Sequence, residues 1–395
     1  MFRRSARVGK VAALGLLSAA LVSKGTLADH GRIPVQPLQA YNNLDRSSIT
    51  VSGLSSGAFF AHQFHVAYSS LVKGAGIVAG GPYACAEQIE GISPPFGNPF
   101  IPVIVPRQVV AASAVCTHLE RRDFEQVGWR LPNKPDVRES WKIALSAHRD
   151  GMIDDPAHLA TSRIWLFHGD QDTAIPRSAV EQVRTFYEMI GVPAANIQVR
   201  PGPDARHGMP IKVLPGSGTG QHCRLPDPSF LVQCDYGAAE LLLRHLYPDS
   251  AAAPSGSASG RLVGFNQTEF FEERDRSTSL NETGYLYVPA ACENASAAAT
   301  RCRLHVAFHG CEQYVDRIHD LFVRDAGYNA WADANNVIVL YPQATRWLKL
   351  GDVTQLTANP KGCWDWWGYS GEAYLGRDGK QMRAVKSMID RMLPN

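Results

Sequence analysis

Three side chains in this sequence have the types and the order needed for acyl transfer through a nucleophile: Ser55, Asp172 and His207. Ser55 is the centre of Gly53-Leu54-Ser55-Ser56-Gly57, which fits the G-x-S-x-G pattern of a nucleophile elbow. Such an elbow needs small residues two positions to either side of the serine, because the strand-to-helix turn is so tight that larger side chains would clash. In a chain with 34 glycines the pattern also arises by chance, so a plain Gly/Ser turn is the bland reading and the flanks must carry the inference. A serine hydroxyl is a weak nucleophile until a histidine takes its proton, and a carboxylate must hold that histidine in the correct tautomer. His207 and Asp172 are the predicted partners. Asp170 competes for the acid role and is read instead as a turn or capping residue. Asp172 is preferred because the loop must extend before its carboxylate can turn toward the histidine, and Ile175-Pro176 then starts the next helix. Among thirteen histidines, only His207 follows a strand at the required point; His62 and His65 are predicted to be surface or packing residues.

These residues have to be positioned by strands and helices, and the hydropathy pattern supplies both. Ile49-Thr50-Val51 reads as a strand entering the elbow, and Phe60, Phe64, Ala67, Tyr68 and Leu71 recur at the spacing of an amphipathic helix leaving it. Ile164 to Phe167 runs into the Asp172 loop, and Ile197 to Arg200 runs into the segment that carries His207. Further short β-rich runs are Ala75 to Ala79, Leu304 to Phe308 and Val337 to Tyr341, with helix-length segments at Pro176 to Ile190 and Asp320 to Asn335. This alternation predicts an α/β fold with a mostly parallel central sheet and helices on both faces. The low-complexity stretch 249–260 reads as a linker. Beyond it lie β-rich runs at Arg261 to Asn266 and Gly284 to Val288, two more strands and a terminal helix from Lys380 to Leu393, with no nucleophile of their own, so the linker is read as joining two halves of one domain. Ser93 to Pro106, rich in Pro, Phe and Ile, reads as a loop or cap.

Composition limits the partners. The formal charge is only +2 and there is no Lys/Arg-rich block after the N-terminus, which gives no electrostatic case for nucleic acid. Arg3, Arg4, Arg7 and Lys10, the apolar run Val11 to Val22, and Thr26-Leu27-Ala28 read as a signal peptide over 1–28 cleaved after Ala28, leaving one domain over 29–395. No later segment approaches about 18 uninterrupted apolar residues, so the mature chain is expected to have no membrane span and to be secreted or periplasmic. Eight cysteines follow the signal: Cys85, Cys116, Cys223, Cys234, Cys292, Cys302, Cys311 and Cys363. An even number in an exported chain favours disulfides, and pairing of sequence neighbours is the simplest arrangement. The competing structural zinc site lacks any C-x-x-C pair, so no metal is expected.

An ester-cleaving site also needs two backbone N–H donors for the developing oxyanion. Ser56, directly after the nucleophile, can give one. The second comes ordinarily from an HG-type loop after an earlier strand, yet little mature sequence precedes Ser55. The good match lies far downstream, in Leu304-His305-Val306-Ala307-Phe308-His309-Gly310-Cys311. A strand and turn with a disulfide cysteine is its alternative reading.

With the elbow, Asp172 and His207, the segments His309-Gly310-Cys311-Glu312-Gln313, Leu340-Tyr341-Pro342-Gln343 and Cys363-Trp364-Asp365-Trp366-Trp367-Gly368-Tyr369 resemble the polyhydroxybutyrate depolymerases whose catalytic domain is circularly permuted, from about residue 46 to the end. The resemblance implies a single α/β-hydrolase-like domain in which 261–395 supplies the first part of the sheet and 47–245 the rest. It implies Ser55, Asp172 and His207 as the triad, with the amides of Ser56 and Cys311 as oxyanion donors and no cofactor. A tryptophan of the Trp364, Trp366 and Trp367 cluster would line the substrate crevice, where a flat apolar wall suits a polyester; plain core packing is the other reading of these rings. A Cys311–Cys363 bridge would hold that wall beside the oxyanion loop. The expected activity is that of an exported serine esterase cleaving poly(3-hydroxybutyrate) or its oligomers, the rivals being a feruloyl-type or general carboxylesterase and a binding protein with a dead site. Related polymer-degrading members often carry a linker and a substrate-binding domain after the catalytic one. This sequence runs to Asn395 with neither, so amorphous polymer or soluble oligomers are the expected substrates.

Overall fold

The β-rich runs of the two halves of the sequence come together in a single sheet. The computed structural model describes residues 33–94, 107–212, 222–250, 252–254, 258–272, 274–293, 301–348 and 358–394. The signal peptide predicted over 1–28 lies outside them, as do most of the predicted 93–106 loop and part of the 249–260 linker. The strands are β1 (Thr50–Leu54), β2 (Gly74–Val78), β3 (Arg163–Gly169), β4 (Ile197–Gly202), β5 (Met209–Lys212), β6 (Leu231–Cys234), β7 (Arg261–Asn266), β8 (Thr283–Val288), β9 (Arg303–Phe308) and β10 (Val337–Tyr341). Eight of them form the main sheet in the order β4-β3-β2-β1-β9-β10-β8-β7, parallel from β4 to β10 and antiparallel at β8 and β7. The short strands β5 and β6 form a separate parallel pair.

Strands β1, β2 and β10 are buried along their whole length, as the continuous apolar sequence of β10 requires when helices cover both faces, while β1 also buries the hydroxyls of Thr50 and Ser52. The longer helices are α1 (Ser56–Ala67), α2 (Val137–Arg149), α3 (Arg177–Ile190), α4 (Ala238–Leu246), α5 (Tyr328–Ala334) and α6 (Lys380–Met392). Residue alternation along β9 marks the two faces. Phe308 packs on Phe60 of α1, while His305, an odd number of positions away, stacks on Tyr328 of α5. Among the described residues no helix is long and apolar enough to cross a membrane.

Two predicted helices come out differently. The elbow helix was expected to be amphipathic, yet every residue of α1 is buried. Its polar side chains face partners rather than water: His62 Nδ1 lies 3.1 Å from the Gly81 carbonyl, Gln63 Nε2 donates to the Asp365 carbonyl at 3.2 Å, and His65 sits between Tyr187 Oη at 2.8 Å and Ser162 Oγ at 3.1 Å. The helix expected over Asp320 to Asn335 is broken into Leu321–Asp325 and α5, because Gly327 takes φ +90°, a left-handed conformation that no α-helix can include.

The pairing of β1 with β9 matters most for the site. Thr50 faces His305 and Gly53 faces Phe308, so the elbow after β1 and the His309-Gly310-Cys311 turn after β9 leave the sheet side by side. A buried polar cluster locks that register. His305 Nδ1 is 2.7 Å from Thr50 Oγ1 and its Nε2 is 2.7 Å from Ser52 Oγ, while Thr50 Oγ1 donates to Tyr247 Oη at 2.6 Å and Tyr328 Oη lies 2.8 Å from Ser52 Oγ. A one-residue slip would break every one of these bonds.

Candidate active site

Ser55, Asp172 and His207 follow β1, β3 and β4, three strands that run parallel, so all three lie at the same, carboxyl-terminal edge of the sheet. Ser55 has φ 55° and ψ −121°, an unfavourable conformation for a residue with a side chain. The elbow glycines make room for it. A Cβ on Gly53 would stand 2.2 Å from the Gly57 carbonyl oxygen, and one on Gly57 would stand 2.3 Å from the His309 carbonyl oxygen. Neither position tolerates alanine without moving backbone. Ser55 N–H donates to Val78 O at 2.9 Å, which fixes the turn to the end of β2.

His207 Nδ1 meets Asp172 Oδ2 at 2.8 Å, and Asp172 Oδ1 accepts the amides of Ala174 and Ile175 at 2.8 and 2.9 Å. Burial alone would raise the Asp172 carboxyl, but the hydrogen bond and charge of His207 and the two amides outweigh it and leave the group below the ordinary carboxylate range. It is therefore an ionised, nearly inaccessible acceptor for the imidazole. Asp170 instead pairs with Arg177 at the surface. The acid and histidine loops are also joined by backbone, since Asp170 N–H bonds Gly202 O and Gln171 N–H bonds Ala205 O. His168 Nε2, 2.9 Å from Ile175 O, braces the acid loop from behind.

The third component stands against the serine. A Cβ on Gly310 would be 3.4 Å from Ser55 Cβ and 3.3 Å from Leu54 O, which places the His309-Gly310-Cys311 turn against Ser55. Gly310 N–H is already used, donating to Gln313 Oε1 at 2.7 Å. The amides of Ser56 and Cys311 have no hydrogen-bond acceptor among the described residues. His309, buried and pushed down to about 4 by desolvation, is neutral and accepts Ala344 N–H at Nε2. It holds the turn rather than titrating.

The four disulfides are Cys85–Cys116, Cys223–Cys234, Cys292–Cys302 and Cys311–Cys363, the sequence-neighbour pairing. The last ties the turn beside Ser55 to the tryptophan segment. Its 52-residue separation gives a loop-closure contribution of about 4 kcal/mol. Replacing both Cys311 and Cys363 by serine is thus expected to lower the thermal midpoint by several degrees, measured by circular dichroism; an unchanged midpoint would mean the bridge constrains nothing.

The tryptophans divide by burial. Trp364, one of the three rings expected at the substrate wall, has no exposed surface and packs among Phe60, Phe308 and His309, so it belongs to the core under α1. Trp366 is 6% exposed and stacked 4.0 Å from Phe59. Trp367 keeps a partly exposed face. Both are presented by Asp365, whose buried carboxylate accepts the amides of Trp367, Gly368, Tyr369 and Ser370. Burial raises this carboxyl above its ordinary range even against those donors. Sequence reading missed Asp365, Gln313 and Phe230, whose ring meets His207 edge-on at 6.2 Å. The only signal for the first two was their place inside the quoted segments. A cavity of about 790 Å³ bounded by Gln88, Pro135 and Met189 contains none of these groups.

A strained serine at a strand-to-helix turn, with a histidine–carboxylate pair at the same edge of a parallel sheet, defines the serine-hydrolase class of α/β proteins. Within that class the chain is 34% identical over 376 residues to a poly(3-hydroxybutyrate) depolymerase of Delftia acidovorans, covering 95% of this chain and 64% of the relative. It is 30% identical over 355 residues to a polyhydroxybutyrate depolymerase of Talaromyces funiculosus, covering 89% and 91%. Two solved structures superpose at 29% identity over 91% of this chain and 99% of theirs: a serine-to-alanine variant of a PHB depolymerase complexed with an R3HB trimer, at TM-score 0.72, and the PHB depolymerase from Penicillium funiculosum, at 0.71. No protein-family model matches. The chain belongs to the polyhydroxybutyrate depolymerase family. It spans 64% of the length of the Delftia relative.

Proposed function

We propose that this chain is an exported serine esterase that hydrolyses poly(3-hydroxybutyrate) or its oligomers. The observation that carries the reading is the His207–Asp172 pair at 2.8 Å on the sheet edge where the Gly310 turn abuts strained Ser55. In the proposed reaction His207 takes the Ser55 proton as Oγ attacks the ester carbonyl. The amides of Ser56 and Cys311 stabilise the oxyanion. The C–O bond then breaks, His207 returns its proton to the leaving hydroxyl, and an acyl-enzyme remains. Water, deprotonated by the same histidine, releases the hydroxy acid and restores Ser55. Asp172 stabilises the imidazolium at both steps. Trp367, with Trp366 behind it, forms the apolar wall along which an oligoester lies; the trimer complex of the related structure supports a substrate of that class.

The chain order is read as circularly permuted. The sheet order supports this, because 261–395 supplies β7 to β10 and delivers the HG-type turn of β9 to the nucleophile from the far side of the linker. The signal peptide over 1–28, a mature domain over 29–395 and a secreted or periplasmic location complete the reading, supported by four disulfides.

The test compares purified protein on amorphous poly(3-hydroxybutyrate), on the hydroxybutyrate trimer and on simple aryl and feruloyl esters. Release of hydroxybutyrate from polymer or trimer at nanomolar enzyme is expected. Turnover confined to aryl or feruloyl esters would replace the reading with that of a general or feruloyl-type carboxylesterase.

A further inference from the structure

We propose that Gln313 is a positioning residue that fixes the oxyanion turn and the histidine segment relative to each other; the proposal rests on the hydrolase reading above. Gln313 is 1% exposed, and its carboxamide uses both ends. Oε1 accepts Gly310 N–H at 2.7 Å, and Nε2 donates to Ser229 O at 2.7 Å, across 84 residues of sequence. Each end controls one half of the site.

On the first side, the bond consumes the Gly310 amide. The turn is thereby held with Gly310 against Ser55 and with the next amide, that of Cys311, left without an acceptor among the described residues. On the second side, Ser229 leads directly into Phe230, which has φ 56°, an unfavourable conformation for a residue with a side chain. Asp227 Oδ1 accepts Ser229 N–H at 2.7 Å and Phe230 O accepts Met209 N–H at 2.7 Å, so this segment clasps the chain just after His207. The Phe230 ring then packs edge-on against the imidazole. Gln313 is thus the link from the group that stabilises the oxyanion to the group that moves the proton. Misplacement of either by about 1 Å is enough to cost on the order of 100-fold in rate.

The geometry also supplies a test with a pH signature. In Gln313→Glu the ionised carboxylate keeps an acceptor for Gly310 N–H but turns a second oxygen toward the Ser229 carbonyl. The protonated carboxyl has the donor and acceptor arrangement of the native carboxamide. Desolvation at this buried position raises the carboxyl's titration toward neutrality. The ratio of variant to wild-type kcat, taken at each pH on p-nitrophenyl butyrate with folded protein verified by circular dichroism, is therefore expected to rise as pH falls, with KM within about twofold throughout. Gln313→Met, which can make neither bond, is expected to lose 10- to 100-fold in kcat with no pH dependence of the ratio. A flat ratio near one for Gln313→Glu, or a wild-type kcat for Gln313→Met, would overturn the proposal. If Gln313→Glu does not fold, the Met variant decides alone. An aryl ester is used so that failure on hydroxybutyrate trimer, which would sink the depolymerase reading, leaves this comparison intact.

Discussion

Replacing Ser55 with alanine is expected to lower kcat for ester hydrolysis about 10⁵- to 10⁶-fold, the loss seen when a triad nucleophile is removed. The change deletes one oxygen. The backbone at φ 55° is no worse for alanine than for serine, the Val78 bond uses the amide, and Gly53 and Gly57 still permit the turn, so folding should be unaffected. Ser56 cannot substitute, because it is buried and its Oγ accepts the Trp364 amide at 3.3 Å. Ser47→Ala, at an exposed serine, is the control. The decisive measurement is the pre-steady-state burst with an activated ester, which reports acyl-enzyme directly. Wild type and Ser47→Ala should give a burst near one equivalent. A burst of that size from Ser55→Ala would place the nucleophile elsewhere.

Stability should collapse on mild acidification. His62, His65, His305 and His309 are fully buried, and desolvation pushes them down to about 4, about 3, about 3 and about 4. An unfolded histidine titrates near 6.5. Between these values the unfolded chain binds protons that the folded chain refuses, so stability is lost as pH falls below about 6.5, until the folded values are reached. Each histidine contributes about 1.4 kcal/mol per pH unit, and four together about 5 kcal/mol per unit. Against a typical total of about 5–15 kcal/mol, that is enough to unfold the protein near pH 5. The depressed Asp172 carboxyl acts with the same sign in a lower window, losing its contribution only as pH falls through the carboxylate range. Urea titrations at pH 7, 6 and 5.5 measure the slope, and His65→Gln should reduce it by about a quarter. A stability independent of pH across that interval would contradict the buried, neutral state of these rings.

The strands were legible because a parallel sheet covered on both faces writes itself as short, continuous apolar runs, such as Val337 to Tyr341. The position of Asp172 was legible because it follows such a run, and that of His207 because it follows the alternating Ile197-Gln198-Val199-Arg200 of the exposed edge strand β4; Ser55 was marked by its flanking glycines. What the sequence hid depends on partners far away along the chain. The polar residues of α1 look like a solvated face, yet His65 is satisfied by Tyr187, 122 positions on. Three adjacent tryptophans cannot reveal which ring turns inward, and Trp364 does so because Phe60 and Phe308 wall it in. Gln313 has the composition of a surface residue; its role rests on Ser229, in a segment whose short strands gave no periodic signal. The cysteines were readable because each pairs with its neighbour in sequence.

The neighbourhood of β1 and β9 also sets a clock. Thr50 and His305, which touch across that pair, are 255 residues apart. The serine is therefore made early, but the turn that abuts it does not exist until most of the chain has been synthesised. Until then β1 has an open edge, and contacts of such long range are slow to form. The site can be complete only when the late half of the chain has docked, so a nascent chain carries Ser55 without the turn that stands against it.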